Sequence, residues 1–437
     1  MISIPHYVRS ACTILLNNGF KAYPVGGAVR DSLLGLSPTD WDVTTDAQPE
    51  QIEALFAKTV PTGKQFGTVT VLLENKPLEI TTMRVEGPYS DGRRPDRVDF
   101  TKDIETDLSR RDFTVNAIAY DTANRRFIDP YRGRRDLKRK QLRAVGEAAC
   151  RFQEDPLRML RLIRFQAVLG FKAERKTIRA VKAPLINRVS PERIGAELSK
   201  MLVGPHLGPA LKAFYTTGLM HEIIPELAAG RGVSPGERHP YDLLGHSITA
   251  AHFAEPTLHL RWAALLHDLG KIKDPGRRHA AAGSELAGQI LRRLRYSTKL
   301  INSVRFLIKH HMFHCHPYSS EKALRRFLAK VGREAAFDLV KLRQADMAGM
   351  NADPREIIAF GRGLEKRLAA ILKQAAALSL ADLAVDGSSL MNALALKPGP
   401  LIGEILNYLL EQVLADPNLN QRESLVQLAR DFLKSKQ

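Results

Sequence analysis

Two glycines and two aspartates near the start of this 437-residue chain have the types and the spacing that phosphate and metal chemistry requires. Gly26 and Gly27 lack side chains, so a tight backbone turn can bring N–H groups close to phosphate oxygens. A helix predicted to begin near Ala28 would point its positive end at the same place. Asp40 and Asp42 lie two residues apart, and in an extended segment both side chains would face one side, about 7 Å apart.

Two carboxylates on one face repel each other unless a cation lies between them. Mg²⁺ takes one or two carboxylates and fills its other positions with phosphate oxygens, and two such ions can activate an attacking hydroxyl and a leaving pyrophosphate. Glu79, on a predicted strand, is the candidate third acid, either as a ligand or as the base that takes the hydroxyl proton. The pattern predicts a nucleotidyl-transfer site with Asp40, Asp42 and Glu79 as its catalytic residues.

Each of these motifs also has an ordinary structural explanation. A Gly-Gly turn before a helix is common, and an Asp-x-Asp pair occurs by chance in many surface loops. Glu79 can also lie on the polar face of a half-exposed strand. The conjunction of the three favours the catalytic interpretation.

A second set of polar residues recurs at steps of three between residues 154 and 165, which we predict to form one helix. Asp155, Arg158, Arg161 and Arg164 would then follow one helical face. A carboxylate can accept from the amino group of cytosine or adenine, and an arginine can donate to their ring nitrogens. Asp155 and Arg158 would thus admit C and A but not G or U. The alternative is a set of surface ion pairs, each worth a few tenths of a kcal/mol.

Arg110 and Arg111 precede an apolar run, and Asp112 follows them directly. Guanidinium groups suit phosphate and ribose oxygens because they offer a planar fork of donors and keep their charge. We expect Asp112 to hold one of the two arginines in place. Such a cluster, standing alone, is often only a surface ion-pair group.

In order, the chain contains Gly-Gly-Ala-Val-Arg-Asp, Asp-Trp-Asp, Arg-Arg-Asp-Phe-Thr-Val-Asn-Ala from residue 110 and Glu-Asp-x-x-Arg-x-x-Arg from residue 154. This ordered set resembles the bacterial class II tRNA nucleotidyltransferase and poly(A) polymerase family, and its CCA-adding branch in particular. The resemblance implies template-independent addition of CCA to tRNA 3′ ends from CTP and ATP, with Mg²⁺ as cofactor, bound by Asp40 and Asp42, and pyrophosphate released. By the same resemblance, the nucleotide-binding residues are Gly26, Gly27, Arg30, Arg111, Asp155, Arg158, Arg161 and Arg164.

Further segments fit the resemblance. In the family, a mobile loop corresponding to residues 84–100 helps the site pass from C to A addition, and enzymes that add only C lack it. Its presence here argues against a CC-only enzyme. Residues 191–197 match a motif that braces the neck of these enzymes. Residues 129–143 form the densest positive run, which is either a solvated face or a surface for acceptor-stem phosphates.

Histidines and aspartates in the second half of the chain suggest another metal site. Imidazoles and carboxylates bind transition metals or Mg²⁺, and the His-Asp pair in the apolar segment 265–271, which we expect to be helical, is hard to explain by packing alone. The pattern resembles the HD metal-dependent phosphohydrolase domain. The ligands of this second divalent metal would be His246, His267, Asp268 and Asp346, with His279 and either His310 or His311 as additional ligands or phosphate contacts. Alternatively, the domain is catalytically inert and only helps to hold RNA.

Composition sets broader bounds. Lys and Arg number 65 against 47 Asp and Glu, a formal charge of +18, which favours a polyanionic partner. Nucleic acid is the leading candidate, and an anionic membrane surface is the alternative. We expect a cytoplasmic protein, because no apolar run is long enough to span a bilayer and no secretory signal begins the chain. Three widely separated cysteines indicate neither a disulfide framework nor a cysteine zinc site.

The elements that must position these residues follow from local patterns. We predict a helix over 5–18 that ends at Gly19, and strands over 20–25, 68–73 and 78–84, the last after a turn at 75–77. From about residue 146 only helical periodicity remains, so the predicted fold class is α+β with a polymerase-β-like head. The predicted domains are a head (1–145), a helical neck (146–230), an HD-type helical domain (231–350) and a helical tail (351–437).

The leading interpretation is therefore a CCA-adding enzyme whose partners are CTP, ATP and tRNA, with the acceptor stem at the head and the elbow at the tail. An A-adding tRNA nucleotidyltransferase or a poly(A) polymerase shares the same motifs. A rival from another class is an HD phosphohydrolase acting on nucleotides or RNA ends, with the head as an RNA-binding module. A basic RNA chaperone would leave the acidic pair unexplained.

Overall fold

The computed structural model describes residues 2–87, 97–236, 240–273, 278–373 and 378–436. The chain forms two compact units, residues 1–228 and 229–437. Within the described residues, no helix combines the length and the apolar character that crossing a membrane demands.

The first unit is built on a mixed sheet, and its short strands follow one another closely in sequence. Its strands are β1 (Ala22–Val25), β2 (Asp42–Thr45), β3 (Thr59–Gly63), β4 (Thr68–Leu73), β5 (Lys76–Thr82), β6 (Arg84–Glu86), β7 (Val98–Phe100), β8 (Ala119–Asp121), β9 (Arg126–Ile128), β10 (Gln141–Leu142) and β11 (Lys172–Ala173). Seven strands form one sheet in the order β3-β4-β5-β2-β1-β8-β9, where β2 and β5 run parallel and the other neighbours antiparallel. This sheet with flanking helices confirms the α+β head.

Helices accompany this sheet and make up most of the remainder of the first unit. They are α1 (His6–Asn17), α2 (Gly27–Leu33), α3 (Pro49–Leu55), α4 (Ile104–Ser109), α5 (Gly133–Lys138), α6 (Ala148–Glu154), α7 (Leu157–Leu169), α8 (Arg175–Arg179), α9 (Pro191–Leu202), α10 (Leu207–Thr216), α11 (Leu219–Ile223) and α12 (Pro225–Ala228). The predicted first helix is confirmed, since α1 buries Val8, Ala11 and Leu15 on one face.

Three local predictions in this unit placed the boundaries of their segments wrongly. The hairpin turn lies at Glu74 and Asn75, which both have positive φ angles, so β5 already begins at Lys76. The segment 84–100 is not a loop throughout, because β6 pairs with β7 at its two ends; its middle, 88–96, lies outside the described residues. Strand structure also persists beyond residue 146, where β11 pairs with β10.

The single helix predicted over 154–165 is interrupted. Helix α6 ends at Glu154 and α7 begins at Leu157, and Asp155 between them is extended, with φ −136° and ψ 99°. Pro156 explains the break, because the residue before a proline avoids the helical region and proline has no N–H to donate. Asp155 therefore lies off the helical face that carries Arg158 and Arg161.

The second unit is helical throughout the residues that the structure describes. Its helices are α13 (Leu243–Phe253), α14 (Leu258–Leu266), α15 (His279–Arg293), α16 (Thr298–His310), α17 (Glu321–Val331), α18 (Arg333–Gly349), α19 (Pro354–Lys373), α20 (Gly387–Leu394), α21 (Pro400–Ala415) and α22 (Arg422–Ser435). The last three bury a separate apolar cluster that includes Leu390, Leu409 and Leu425. Residues 233–236, which follow the predicted domain boundary at residue 230, have no regular structure, and 237–239 lie outside the described part.

Candidate active site

Three acids lie together at two interior strands of the head sheet. Strands β2 and β5 are parallel neighbours, and their register places Asp42 directly opposite Glu79. Trp41, which precedes Asp42, is buried in the core, whereas Asp40 is exposed. The charge of Asp40 acts on both Asp42 and Glu79. The structure thus brings together the three residues that the sequence predicted as catalytic.

The electrostatics of these acids favours a bound cation. Burial raises the pKa of Asp42, the neighbouring Asp40 raises it further, and Arg111 lowers it. Burial and the charges of Asp42 and Asp40 likewise raise the pKa of Glu79. A raised pKa means that the ionised form is destabilised where it stands. A divalent cation with oxygen preference would relieve that repulsion, so this donor set fits Mg²⁺.

A cleft of about 450 Å³ opens beside Asp42. Its size falls within the usual range for small-molecule sites. All eight residues predicted to bind the nucleotide line it, namely Gly26, Gly27, Arg30, Arg111, Asp155, Arg158, Arg161 and Arg164. Residues of helix α2 and of the neck therefore converge on one space, although more than a hundred positions separate them in the sequence.

Gly26 is required at the entrance of this cleft. Its φ is +75°, a conformation that favours glycine. A Cβ atom at Gly26 would lie 2.9 Å from Nη1 of Arg111. Helix α2 begins one residue later, at Gly27, rather than at Ala28 as predicted.

Arg30 is held in a fixed orientation by its neighbours. Its Nε and Nη2 donate to the carboxylate of Asp31 at 2.8 and 2.9 Å, and its Nη1 donates to Oδ1 of Asn116 at 2.6 Å. The guanidinium carbon also lies 5.2 Å from the centre of the Phe165 ring. Arg30 is therefore positioned before any substrate arrives.

The prediction that Asp112 holds Arg110 or Arg111 was wrong. Asp107, on α4, does so instead: its carboxylate lies 2.8 Å from Nη2 of Arg110 and 3.5 Å from Nη2 of Arg111. Asp107 stands three and four residues before the arginines, which places it on the same side of the helical turn. Nε of Arg111 is buried and has no hydrogen-bond partner in the described chain.

Asp112 instead ties the head to the neck helix α7. It accepts from Nε and Nη2 of Arg161 at 2.8 and 2.6 Å, and from the side chain of Asn116 at 3.0 Å. Burial alone would raise the pKa of Asp112, but the charge of Arg161 and these hydrogen bonds outweigh burial and hold the pKa well below its ordinary value. The ion pair fixes Arg161 at the cleft wall.

We expect Asp112→Ala to lower the free energy of unfolding by about 3 kcal/mol, because it leaves the partly buried Arg161 without its main partner and Asn116 without an acceptor. The urea midpoint of the full chain measures the change. The control is Asp99→Ala, which removes an exposed carboxylate of the same unit and should stay within about 0.5 kcal/mol. Equal midpoints for the two variants would contradict the structural role of Asp112.

Asp155 and Arg158 are also held by neighbouring groups. Oδ1 of Asp155 accepts from the Leu157 N–H at 3.1 Å, and Oδ2 accepts from Arg193 at 2.8 Å. Nη1 of Arg158 donates to Glu154 at 2.7 Å, and its Nη2 donates to the Arg110 carbonyl at 3.0 Å. Both residues line the same cleft although they do not share a helical face.

Arg164 is fixed in the wall of the cleft. Its Nε lies 3.0 Å from Oε2 of Glu197, and its guanidinium carbon lies 4.0 Å from the centre of the Phe165 ring. Burial and the charge of Arg161 lower the pKa of Arg164 to about 10, while Glu197 opposes this. The Arg164 side chain is also less exposed than that of Arg161, at 11% against 33%.

Sequence reasoning missed four residues that line the cleft: Asn116, Leu157, Phe165 and Arg193. Asn116 belongs to the motif that begins at residue 110, and Arg193 belongs to the motif at residues 191–197. Each could therefore have been found from its motif. From the local sequence, Phe165 would be predicted to be one more core residue. Its contact with Arg30 depends on the tertiary fold and has no signature in the sequence.

A second polar cluster is buried in the helical unit. His246, His267 and Asp346 form one group whose ligand atoms lie within 4.8 Å of each other, and Asp268, His279 and His311 form another. The two oxygens of Asp268 contact both groups, at 3.4 Å from Nε2 of His246 and 3.5 Å from Nε2 of His279. The four predicted ligands and His279 therefore meet in one place.

The hydrogen bonds of the imidazoles aim lone pairs into this cluster. Nδ1 of His267 lies 2.9 Å from the Ala264 carbonyl, and Nδ1 of His311 lies 2.6 Å from the Ile308 carbonyl. Each Nδ1 must therefore carry the proton, which leaves Nε2 as an acceptor in the neutral ring. Nε2 of His246 and Nε2 of His267 are only 3.2 Å apart. Nε2 of His267 therefore needs a donor, which Nε2 of His246, a proton or a metal ion can supply.

The neighbouring carboxylates favour a cation at His267. Burial would lower the pKa of His267, yet Asp268 and Asp346 raise it to about 9. Burial and the charge of His267 lower the pKa of His311 to about 4. Lys271 and Arg343 lie 2.7 Å from carboxylate oxygens of Asp268 and Asp346, respectively.

Of the two candidate histidines, the structure places His311 in the cluster and His310 outside it. His310 is half-buried at the end of α16, and its ring lies tilted against that of Phe306, with the ring centres 4.5 Å apart, outside the cluster. His311 follows the helix end and enters the cluster. The His-Asp pair was predicted within a helix, but α14 ends at Leu266, so His267 and Asp268 follow its last turn.

Comparisons with known proteins agree along the chain. A sequence model described as "Poly A polymerase head domain" matches residues 22–143, one described as "Probable RNA and SrmB-binding site of polymerase A" matches 170–230, and one for tRNA nucleotidyltransferase domain 2 matches 279–429. The chain is 34% identical to a protein of Lactiplantibacillus plantarum named CCA-adding enzyme, over 96% of this chain and 94% of that protein. It is 33% identical to another of that name from Ligilactobacillus salivarius, over 99% of each.

A solved structure is similar over nearly the whole fold. The CCA-adding enzyme of Bacillus stearothermophilus, crystallised with CTP, is 30% identical and superposes with a TM-score of 0.77 over 98% of each chain. The resemblance therefore includes both units and is not limited to the head.

Proposed function

Because this chain belongs to the family of CCA-adding enzymes, we propose that it adds C, C and A to tRNA 3′ ends from CTP and ATP without a nucleic-acid template. The observation that carries the proposal is the single cleft in which Asp42 and all eight predicted nucleotide-binding residues meet. The relatives that match nearly all of the chain bear the name CCA-adding enzyme, which favours CCA addition over A addition or poly(A) synthesis.

In this proposal Asp40 and Asp42 hold Mg²⁺, with Glu79 as a further ligand or as the base. The bound ions would make the tRNA 3′-hydroxyl a better nucleophile and stabilise the pyrophosphate that leaves. Arg111 lies directly beside Gly26, and Arg30 is held in the same cleft by Asp31 and Asn116. Both guanidiniums would orient the triphosphate and neutralise its charge, which is the main protein contribution to nucleotidyl transfer.

Base choice would reside in Asp155 and Arg158. A carboxylate accepts from the exocyclic amino group that cytosine and adenine share, and an arginine donates to the adjacent ring nitrogen. Guanine and uracil present a carbonyl and a protonated nitrogen at the corresponding edge, and both would meet the wrong partner. Arg161, held by Asp112, completes the wall on that side of the cleft.

We expect Arg158→Ala to relax base choice, since each bidentate base contact is worth about 1–3 kcal/mol, or roughly 5- to 150-fold in discrimination. The measurement is kcat/KM for each of the four nucleoside triphosphates on tRNA that ends at the discriminator base. Arg188→Ala, an exposed arginine of the same unit, is the control and should keep the parent's preference. Unchanged preference in both variants would remove Arg158 from the selection.

The proposal is tested with tRNA ending at the discriminator base, at C or at CC, each with labelled CTP or ATP alone. CTP incorporation on the first substrate supports CCA addition. Use of ATP alone, on the CC-ended substrate, would make the protein an A-adding enzyme. Long A tails would indicate a poly(A) polymerase.

We propose a second activity, metal-dependent phosphohydrolysis of nucleotides or RNA ends, for the helical unit. The supporting observation is the buried convergence of four imidazoles and two carboxylates with their Nε2 atoms facing inward. Imidazole and carboxylate donors together suit a divalent transition metal. His246, His267, Asp268 and Asp346 would hold it, and it would activate water for attack on phosphorus. The four-part domain division and tRNA docking at the tail remain predictions.

A further inference from the structure

A second polar cleft lies in the first unit, outside the nucleotide site. It has a volume of about 420 Å³ and is lined along one side by helix α5 and the residues around it. Four arginines and two carboxylates line it, an excess of two positive charges: Arg132, Arg135, Arg139 and Arg143 against Asp136 and Glu174.

Both carboxylates are already engaged. Asp136 is buried and accepts from Arg143 at 2.9 Å and from the hydroxyl of Thr114 at 2.6 Å. Glu174 accepts from Thr177 at 2.9 Å. Arg143 is thus neutralised within the fold, whereas the other three arginines are not.

Arg132, Arg135 and Arg139 are all exposed. In the part of the chain that the structure describes, no carboxylate forms an ion pair with any of them. Three guanidiniums around one open cleft repel each other, and an anion with several acceptor oxygens offsets that repulsion. A phosphate group meets this description.

A closely packed turn connects this second cleft to the nucleotide site. The short turn Thr114–Asn116 lies between them: Asn116 lines the nucleotide cleft, and Thr114 bonds to Asp136 in the second cleft. Helix α5 packs so closely on this turn that a Cβ atom at Gly133 would lie 2.0 Å from the Thr114 carbonyl oxygen. A polyanion whose end enters the nucleotide cleft would therefore have its next phosphates near α5.

We propose that this cleft binds backbone phosphates of the RNA substrate through Arg132, Arg135 and Arg139. The inference rests on the proposed function, because it takes the RNA 3′ end to lie in the nucleotide cleft. RNA fits better than a free nucleotide, since a separate cleft already collects the residues suited to triphosphate and base. The three arginines would set the position of the RNA and not the choice of base.

The test uses the full-length double variant Arg132→Gln/Arg135→Gln and tRNA ending in CC. We expect its Kd for tRNA to rise on the order of tenfold, and the slope of log Kd against log salt concentration to fall by about 1 to 2, because phosphate contacts release counterions. The KM for CTP, measured at saturating tRNA, should stay unchanged. Single variants Arg135→Lys and Arg139→Gln check the result if the double variant folds poorly: the first should retain binding and the second should weaken it.

Arg134→Gln is the matched control. Arg134 lies on the same helix, is equally exposed and carries the same charge, but its guanidinium lies 4.6 Å from the Phe127 ring and outside the cleft. The proposal is overturned if the double variant binds tRNA with the Kd and salt slope of Arg134→Gln, or if only the KM for CTP changes. Failure of the parent protein to incorporate CTP would instead overturn the proposed function, so the two failures are distinguishable.

Discussion

Asp42→Asn is expected to abolish nucleotide addition, with kcat lower by on the order of 10³-fold, since charge stabilisation in the transition state is the largest single contribution at such sites. The amide keeps the size of the side chain but removes the charge opposite Glu79. Incorporation of labelled CTP into tRNA, under single-turnover conditions, measures the effect. Binding of tRNA should stay at the parent's level, because the substitution removes no positive charge.

Glu50→Gln is the control for this experiment. Glu50 is a carboxylate in the first turn of α3 and pairs with Lys64 at 3.3 Å on the exposed surface, so its loss should leave kcat unchanged. Circular dichroism and the urea midpoint would establish that Asp42→Asn is folded. A folded Asp42→Asn protein that adds nucleotides at the parent's rate would refute the metal-binding role of the acidic pair.

The identity of most cleft residues could be predicted because the motifs that carry them are local. Gly26, Gly27 and Arg30 lie within five residues, and Asp40 and Asp42 are separated by one residue. Short spacing limits the geometry, so residue type and periodicity already indicate a shared face. The break at Pro156 was also accessible from the sequence, since proline restricts the residue before it; the regular spacing of three obscured it.

Contacts between distant parts of the chain could not be predicted in this way. Glu79 was a candidate only by its type, and its place opposite Asp42 depends on the parallel pairing of β2 with β5. The partner of Arg161 is Asp112, 49 residues earlier, although Asp112 adjoins two other arginines. In each case several partners satisfy the local chemistry, and only packing chooses among them.

The histidine cluster shows the same limit within two adjacent residues. His310 and His311 have the same type and neighbourhood in the sequence, so either could serve as a ligand. Helix α16 ends at His310, and the change of backbone direction there sends one ring outward onto Phe306 and the other into the cluster. Helix ends are the least certain feature of a periodic pattern, so the sequence leaves this choice open.

The second large effect concerns His267 in this cluster, with His310 as the control. We expect His267→Ala to abolish divalent transition-metal binding in the helical unit and to eliminate hydrolysis of p-nitrophenyl phosphate and its diester. Nucleotide addition to tRNA should stay intact, because no residue of the cluster lies in the head. His310→Ala should keep both activities and the parent's metal content, since its ring lies outside the cluster.

Metal removal gives a readout that does not depend on catalysis. A bound ion stabilises the folded state by RT ln(1 + [L]/Kd), about 2.7 kcal/mol at a free concentration 100 times the Kd. With Mg²⁺ kept in excess for the head, added Mn²⁺ or Ni²⁺ should raise the Tm of the parent and of His310→Ala but not that of His267→Ala. Calorimetry and elemental analysis measure the shift and the bound ion. If His267→Ala binds as much metal as His310→Ala, or loses nucleotide addition together with hydrolysis, the cluster is not a separate metal centre. Asp268 and Asp346, which raise the pKa of His267 to about 9, would then stabilise a protonated His267 in place of a metal ion. The parent's stability would in that case fall as the pH rises from about 6.5 towards 9.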